Sequence, residues 1–443
     1  MSQPNRPAGA AAVATAPAPA PPAAVQAATT AAPGVVVAPA AQQQPTRDTP
    51  QLLRLLSTGV ILASLVFALV GALTFSYLAY SLHRAEADTG QLIRVQKIET
   101  NLLAADATAT NAFLVGGLEP PAQRAAYDEA IGVTGTLIAE AAEAQPADAD
   151  ALAALNQQIV EYAAAIEQAR ANNRQGFPVG AQYLRNASAG LRADALPILD
   201  NLVSANADRA GSEMSATIGW IFLIVAVLVL GALVAAQVWL ARRFRRYLNV
   251  GVAAASVVIL AALVGAGIGL NALSSATKSI KTGSFSAVTT SAKIRIEAYD
   301  AKSNESLTLI ARGSGQAFEQ AWASASGRIT QQLVLLPDAT GLQSAWTSYA
   351  GVHSQIRGLD DNGNWDKAVA LATGSDPAGA NAAFGGFDHA ATGYLDAASA
   401  STANRLAGAQ PGLVIGAIAL FLAGLAAALA GRYGIAARLR EYR

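Results

Sequence analysis

Residues 241–249 read ARRFRRYLN, and this short stretch decides how the rest of the chain is placed. It lies between two long apolar runs, 218–240 and 250–270. Four of its nine residues are arginines: Arg242, Arg243, Arg245 and Arg246. So short a loop holds no domain; it turns the chain around. Short loops rich in Lys and Arg stay on the cytoplasmic side of a membrane, which orients the two runs beside it.

A helix needs about 20 apolar residues to cross a bilayer core. Four uncharged segments meet that length: 58–80, 218–240, 250–270 and 412–430. A single such run also fits a buried core helix. Four of them, two flanking an Arg-rich turn, read as membrane spans. Residues 1–57 and 431–443 then join the 241–249 loop on the cytoplasmic side, and all three are net basic. Residues 81–217, with nine Lys/Arg against seventeen Asp/Glu, and residues 271–411, with ten against eleven, become two extracytoplasmic domains. The first run exceeds the roughly 7–15 residues of a signal-peptide core, and no small-residue cleavage site follows it. It reads as a retained anchor.

Composition narrows the chemistry. The chain is 53% hydrophobic and 14% charged. It has no cysteine, so disulfides, Cys-zinc sites, thiol nucleophiles and iron–sulfur clusters are excluded. Its three histidines, His83, His353 and His389, are far apart, which disfavours a histidine-rich metal centre. No cofactor is expected. The spans carry no Asp, Glu, Lys, Arg or His, which argues against a proton relay or ion path. No P-loop, G-x-S-x-G, H-E-x-x-H or kinase motif is present, so no catalytic site is expected. Ten of the eighteen prolines fall in the first fifty residues, and residues 1–57 read as a disordered Ala/Pro-rich tail. That tail is either passive or a docking segment for a proline-binding partner.

The two domains read as helical. In the first, Leu152, Leu155, Ile159, Tyr162, Ile166 and Ala169 form a heptad seam. Leu184, Ser188, Leu191, Ala195, Ile198, Leu202 and Ala205 form another. Seams from Val95 to Ala109 and from Tyr127 to Ile138 complete four helices. In the second domain, seams begin at Val288, Phe318, Leu342 and Phe384. The predicted fold is an all-α membrane protein: four transmembrane helices and two tandem extracytoplasmic four-helix up-down bundles continuous with the spans. Pro197 and Pro411 mark the places where the returning helices bend.

Five features invite a functional reading. Asp106 and Asp300 lie at similar distances beyond their spans, each followed by Thr, Ser, Asn or Lys. They read either as a polar layer that sets register or receives a signal, or as an ordinary solvated helix face. Residues 360–366, DDNGNWD, lack calcium-loop spacing and a closing Glu, and read as a helix-capping turn. His353 lies beside an apolar stripe, as a satisfied half-buried histidine or a pH sensor. Gly265 with Gly269, and Gly412 with Gly416, have the G-x-x-x-G spacing of close helix contact. The four loop arginines serve topology and lipid headgroups, or dock a cytoplasmic partner.

A bundle between two spans resembles the sensor modules of chemoreceptors and sensor kinases, here with no output domain expected in the chain. The chain more closely resembles the actinobacterial GlnX-like tetraspanning proteins. That resemblance rests on the Pro/Ala tail, the duplicated bundles, the Arg loop and two stretches, NLLAADATATNAFLVGG at 101–117 and DAKSNESLTLIARG at 300–313. It implies amino-acid sensing: a glutamine-binding-type periplasmic lipoprotein senses aspartate or glutamate, and the tetraspanning protein passes that state to a cytoplasmic PknG-type Ser/Thr kinase. It carries no catalytic residues. The competing expectation is a static membrane scaffold or envelope-organising protein, with a transporter third. A homo-oligomer is compatible with either of the first two.

Overall fold

A computed structural model describes residues 49–115, 119–215, 218–244, 248–374 and 376–440. Residues 1–48, Arg245, Arg246 and Tyr247 lie outside the described residues. The expected Ala/Pro tail lies outside them as far as Asp48, but its last residues, 49–57, are helical and open α1, where disorder was expected. The described residues are predominantly α-helical, with no strand among them.

The first helix, α1 (Thr49–Val115), is 67 residues long and unbroken. At ~1.5 Å per residue it extends about 100 Å. Its first half is apolar enough to cross a membrane; its second half belongs to the first bundle. The bundle continues with α2 (Pro121–Ala144), α3 (Ala149–Arg174), and α4 (Val179–Gly190) with α5 (Leu196–Glu213), which are joined by a π-helical turn at Leu191–Ala195. Next come α6 (Gly219–Phe244), α7 (Val250–Ile280), a second π-turn (Lys281–Phe285) and α8 (Ser286–Ile310). The second bundle adds α9 (Gln316–Leu333), α10 (Thr340–Asp361), the short α11 (Trp365–Thr373) and α12 (Ala380–Arg440). Helices α6, α7 and α12 supply the other three membrane-compatible segments. The 61-residue α12 accommodates Pro411 without a break in its helical assignment.

The predicted seam of α3 is its buried set, residue for residue. The seam of α4–α5 departs from expectation after Ala195. Leu202 is buried as expected, but Leu199 and Asn206 are buried in place of Ile198 and Ala205, with Ala210 following. The π-turn causes this. Pro197 has no N–H to donate to the carbonyl four residues back. The wider turn takes up that defect with one extra residue, moving the buried face to Leu199 and Asn206. Pro197 therefore displaces the helix register where a simple kink was expected. A second difference follows at Glu213. There α5 stops short of α6, so the expected continuous helix is interrupted. Ser81 of α1 donates to the Glu213 carbonyl at 2.8 Å and to its carboxylate at 2.6 Å, and Arg84 pairs with the same carboxylate. The end of α5 is thus tied to the long helix beside it.

The apolar halves form one packed layer. α1 lies against α6 and α12, and α7 lies against α6 and α12. Phe67, Phe75 and Phe222 meet at its centre. Of the expected G-x-x-x-G pairs, Gly416 makes a close contact, whereas Gly265, Gly269 and Gly412 have open space where a Cβ would stand. The close contacts on α12 run from Gly416 along a row through Gly424 and Gly431. A Cβ on Gly416 would stand 2.7 Å from the Phe75 ring, and one on Gly424 would stand 2.5 Å from the Ala68 Cβ. Gly431 abuts Val60 in the same row. At the far end of this layer the Asn249 amide donates to the Gly434 carbonyl at 3.0 Å, and Gly251 faces Gly434.

Away from the spans the two bundles pack side by side through α1 and α8. Nine consecutive residues of α8, from Ala301 to Leu309, are buried. A helix in an isolated bundle buries one stripe; this one is enclosed on every side because both bundles contact it.

Candidate functional site

The polar residues on this central pair form the site. Asp106 of α1 is completely buried, which excludes a solvated helix face. One of its carboxylate oxygens accepts from the Ser188 hydroxyl at 2.5 Å and the Tyr162 hydroxyl at 3.2 Å. The other accepts from the Ser303 hydroxyl at 2.7 Å and from Arg192 Nη1 at 3.1 Å. Arg192 then reaches Asp300, with Nε donating at 2.8 Å and Nη2 standing 2.7 Å away. One guanidinium therefore spans the two aspartates singled out in the sequence. Burial works against its charge, but Asp106 and Asp300 outweigh that and raise its pKa. Burial, with Asp106 nearby, likewise raises the pKa of Tyr162.

Arg192 escaped the sequence reading. The signal for it was a single arginine beside Leu191 in an otherwise apolar seam, five residues before a mid-helix proline. The π-turn places it, since Arg192 lies within Leu191–Ala195. Such turns occur often at functional sites.

Asp106 and Asp300 meet at one cation, but they are not equivalent in register. The buried row Ile98, Leu102, Ala105 and Ala109 of α1 has the spacing of Ile294, Ala298, Ala301 and Glu305 in α8. In that frame Asp106 corresponds to Lys302. Asp300 lies at the edge of its own bundle, turned toward the first. A second link between the bundles lies nearer the tip of α1. The Asn111 amide donates to the Ala372 carbonyl at 3.1 Å, and its oxygen accepts from Asn381 at 3.2 Å. Helix α11, which carries Ala372, was not expected from the sequence.

The second bundle has its own polar centre. The buried Glu305 carboxylate is held by Lys302 at 2.7 Å, by Tyr349 at 3.1 Å and by His353 Nδ1 at 2.9 Å. His353 Nε2 lies 3.3 Å from Glu319, and the ring stacks on Trp322 with centroids 3.6 Å apart. Burial would raise the pKa of Glu305, but Lys302 and His353 hold it well below the usual carboxylate range. Burial opposes the charge on His353, yet Glu305 and Glu319 outweigh it and raise its pKa. His353 thus occupies a core position, one residue on from the expected Val352. Between the bundles, Glu99 of α1 is buried; burial pushes its pKa up to about 8, with Asp200 adding and Lys293 opposing.

Residues 360–366 form a helix-terminating turn. Gly363 has φ +75°, its N–H bonds to the Asp360 carbonyl, and the Asn364 N–H bonds to the Leu359 carbonyl. Among the described residues no group of three His, Asp or Glu is arranged to hold a metal ion. A cavity of about 280 Å3 opens near the tip of the first bundle. Its apolar floor includes Phe113 and Ile166, and Glu119, Arg124, Arg170 and Arg174 line its polar side. Of the loop arginines, Arg242 and Arg243 are exposed at the end of α6, while Arg245 and Arg246 lie outside the described residues.

No curated protein and no solved structure matches the chain. Residues 81–215 match the family model of an actinobacterial sensor domain, a stretch that holds all of Asp106, Tyr162, Ser188 and Arg192. With four membrane-compatible apolar helices, this likeness supports a sensing or signalling role for a multi-pass membrane protein.

Proposed function

We propose that the chain is a non-catalytic transmembrane signal transducer. It relays extracytoplasmic aspartate or glutamate availability, sensed by a glutamine-binding-type lipoprotein, to a cytoplasmic PknG-type Ser/Thr kinase. The supporting orientation is the one read from the Arg loop: bundles outside, loop and chain ends inside. The lipoprotein engages the bundles at their far end, where the Arg-lined cavity opens. The observation that carries the reading is the Asp106–Arg192–Asp300 layer. It ties α1, which runs unbroken into the first span, to α8, which continues through a π-turn into the third. A shift of about 1–2 Å at the bundle interface, the size common in helix-based switching, then reaches two spans together. On the cytoplasmic side Arg242, Arg243, Arg245 and Arg246 present the change to the kinase.

Co-purification of the full chain from cells grown with and without aspartate or glutamate tests this. Recovery of a solute-binding lipoprotein and a Ser/Thr kinase is expected. Recovery of wall-assembly factors alone would favour the static scaffold. Replacing the four loop arginines with glutamine, with topology preserved, should abolish kinase recovery and leave lipoprotein recovery intact.

A further inference from the structure

A cleft of about 520 Å3 lies where the apolar segments meet the bundles, between α1, α6 and α7. Leu78, Leu82, Leu223 and Leu270 form its apolar body. Trp220, at the start of α6, is 57% exposed at its edge. Tryptophan in that position is the residue type that settles at a membrane–water boundary. The bundle side of the cleft is polar, with Ser274, Thr277 and Lys278 along the end of α7 and Lys281 at the start of the π-turn that follows.

The charge at that end is unbalanced. Both lysines are exposed. Among the described residues, Lys281 has only long contacts, 3.5 Å to the Gly211 carbonyl and 3.4 Å to the Ser215 hydroxyl. The one carboxylate among the described lining residues, Glu213, is already held by Ser81 and Arg84. An apolar cleft at the span boundary, capped by two ammonium groups and flanked by a tryptophan, matches one kind of molecule. We propose that it binds an anionic phospholipid, with an acyl chain along Leu82, Leu223 and Leu270 and the phosphate at Lys278 and Lys281.

The position gives the site a consequence. The cleft touches both places where helix geometry is interrupted between bundle and span. One is the end of α5 at Glu213 and Met214; the other is the π-turn that begins at Lys281. A lipid there fills the joint through which the bundles connect to α6 and α7, so membrane composition sets the packing of that joint.

Native mass spectrometry of the full chain tests this, with phosphatidylglycerol and phosphatidylcholine supplied in equal amounts in mixed micelles. The wild type should retain one phosphatidylglycerol in preference to phosphatidylcholine. The K278Q/K281Q variant should lose roughly thirtyfold of that preference, from about one lysine–headgroup contribution each. Leu223→Trp, which fills the apolar body and leaves both lysines, should expel the lipid as well. Lys367→Gln, an exposed lysine on α11, should change nothing. Equal retention of the two lipids by the wild type, or an unchanged preference in K278Q/K281Q, would overturn the proposal. Competition by soluble glycerol 3-phosphate would also overturn it, because the site would then take free phosphate esters without a chain.

Discussion

Arg192→Met tests the buried layer most sharply. The substitution keeps an unbranched side chain that matches the aliphatic stem of arginine and removes the guanidinium. Asp106 has no exposed surface, so its charge cannot be rehydrated in place. Removing one partner from a buried ion pair costs about 3–5 kcal/mol. Three hydroxyl donors remain on Asp106, from Tyr162, Ser188 and Ser303, which places the cost near the lower end, about 3 kcal/mol. Asp300 is 25% exposed and turns to water, adding no more than about 1 kcal/mol. The expected loss is therefore about 3–4 kcal/mol. Urea unfolding of the purified chain in detergent, followed by tryptophan fluorescence, reads it; Trp322, Trp346 and Trp365 all report from the second bundle. The D106N/R192M pair should recover roughly 2 kcal/mol, because a neutral amide leaves no buried charge. A loss under about 1 kcal/mol in Arg192→Met, or no recovery in the pair, would refute the claim that Arg192 holds the bundles together through Asp106.

Other expectations follow from the same geometry. Glu99 has its pKa raised to about 8 in the fold from an ordinary 4.5, so the folded state binds the extra proton between those values. Stability is then greatest below pH 4.5 as far as this group is concerned and falls as pH rises through about 8, by at most about 5 kcal/mol. Glu99→Gln should remove that slope, measured as Tm between pH 5 and 9. His353, also raised, stabilises the second bundle below its ordinary 6.5 and loses that contribution as pH rises through its folded value; in His353→Gln the melting of that bundle should lose this dependence. In the spans, Gly424→Ala forces a methyl against Ala68 and should cost about 1–3 kcal/mol, whereas Gly265→Ala, with open space around it, should change thermal stability by under about 0.5 kcal/mol.

Much of the fold was legible because burial in bundles follows a simple period. The α3 seam shows this, six positions predicted and the same six buried. The reading failed where one local event changed the period. In α5 the inserted residue of the π-turn moved the face from Ile198 to Leu199, which no seam drawn on a uniform helix anticipates. It failed again where packing partners lay outside the segment being read. Asp106 looks solvated on its own helix; its enclosure comes from Ser188 and Arg192 on α4 and the π-turn, and from Ser303 on α8. Gly424 and Gly431 lack the four-residue spacing that was sought, but their seven-residue interval is that of two long helices running together. His353 reads as peripheral only while Glu305 and Glu319 are unplaced.

The central claim is that the bundles and spans move as one linked unit. The absence of native cysteines allows two labels to be placed cleanly. Leu55, 53% exposed near the start of α1, and Val250, 81% exposed at the start of α7, report the ends of two spans opposite the bundles. Pulsed electron–electron spin resonance on Leu55→Cys/Val250→Cys, with and without the aspartate-loaded lipoprotein, measures their separation. The account predicts a shift of about 1–2 Å on adding the loaded lipoprotein, and its loss when Arg192→Met is introduced. An unchanged distance in the otherwise native chain, or a shift that survives Arg192→Met undiminished, would contradict it.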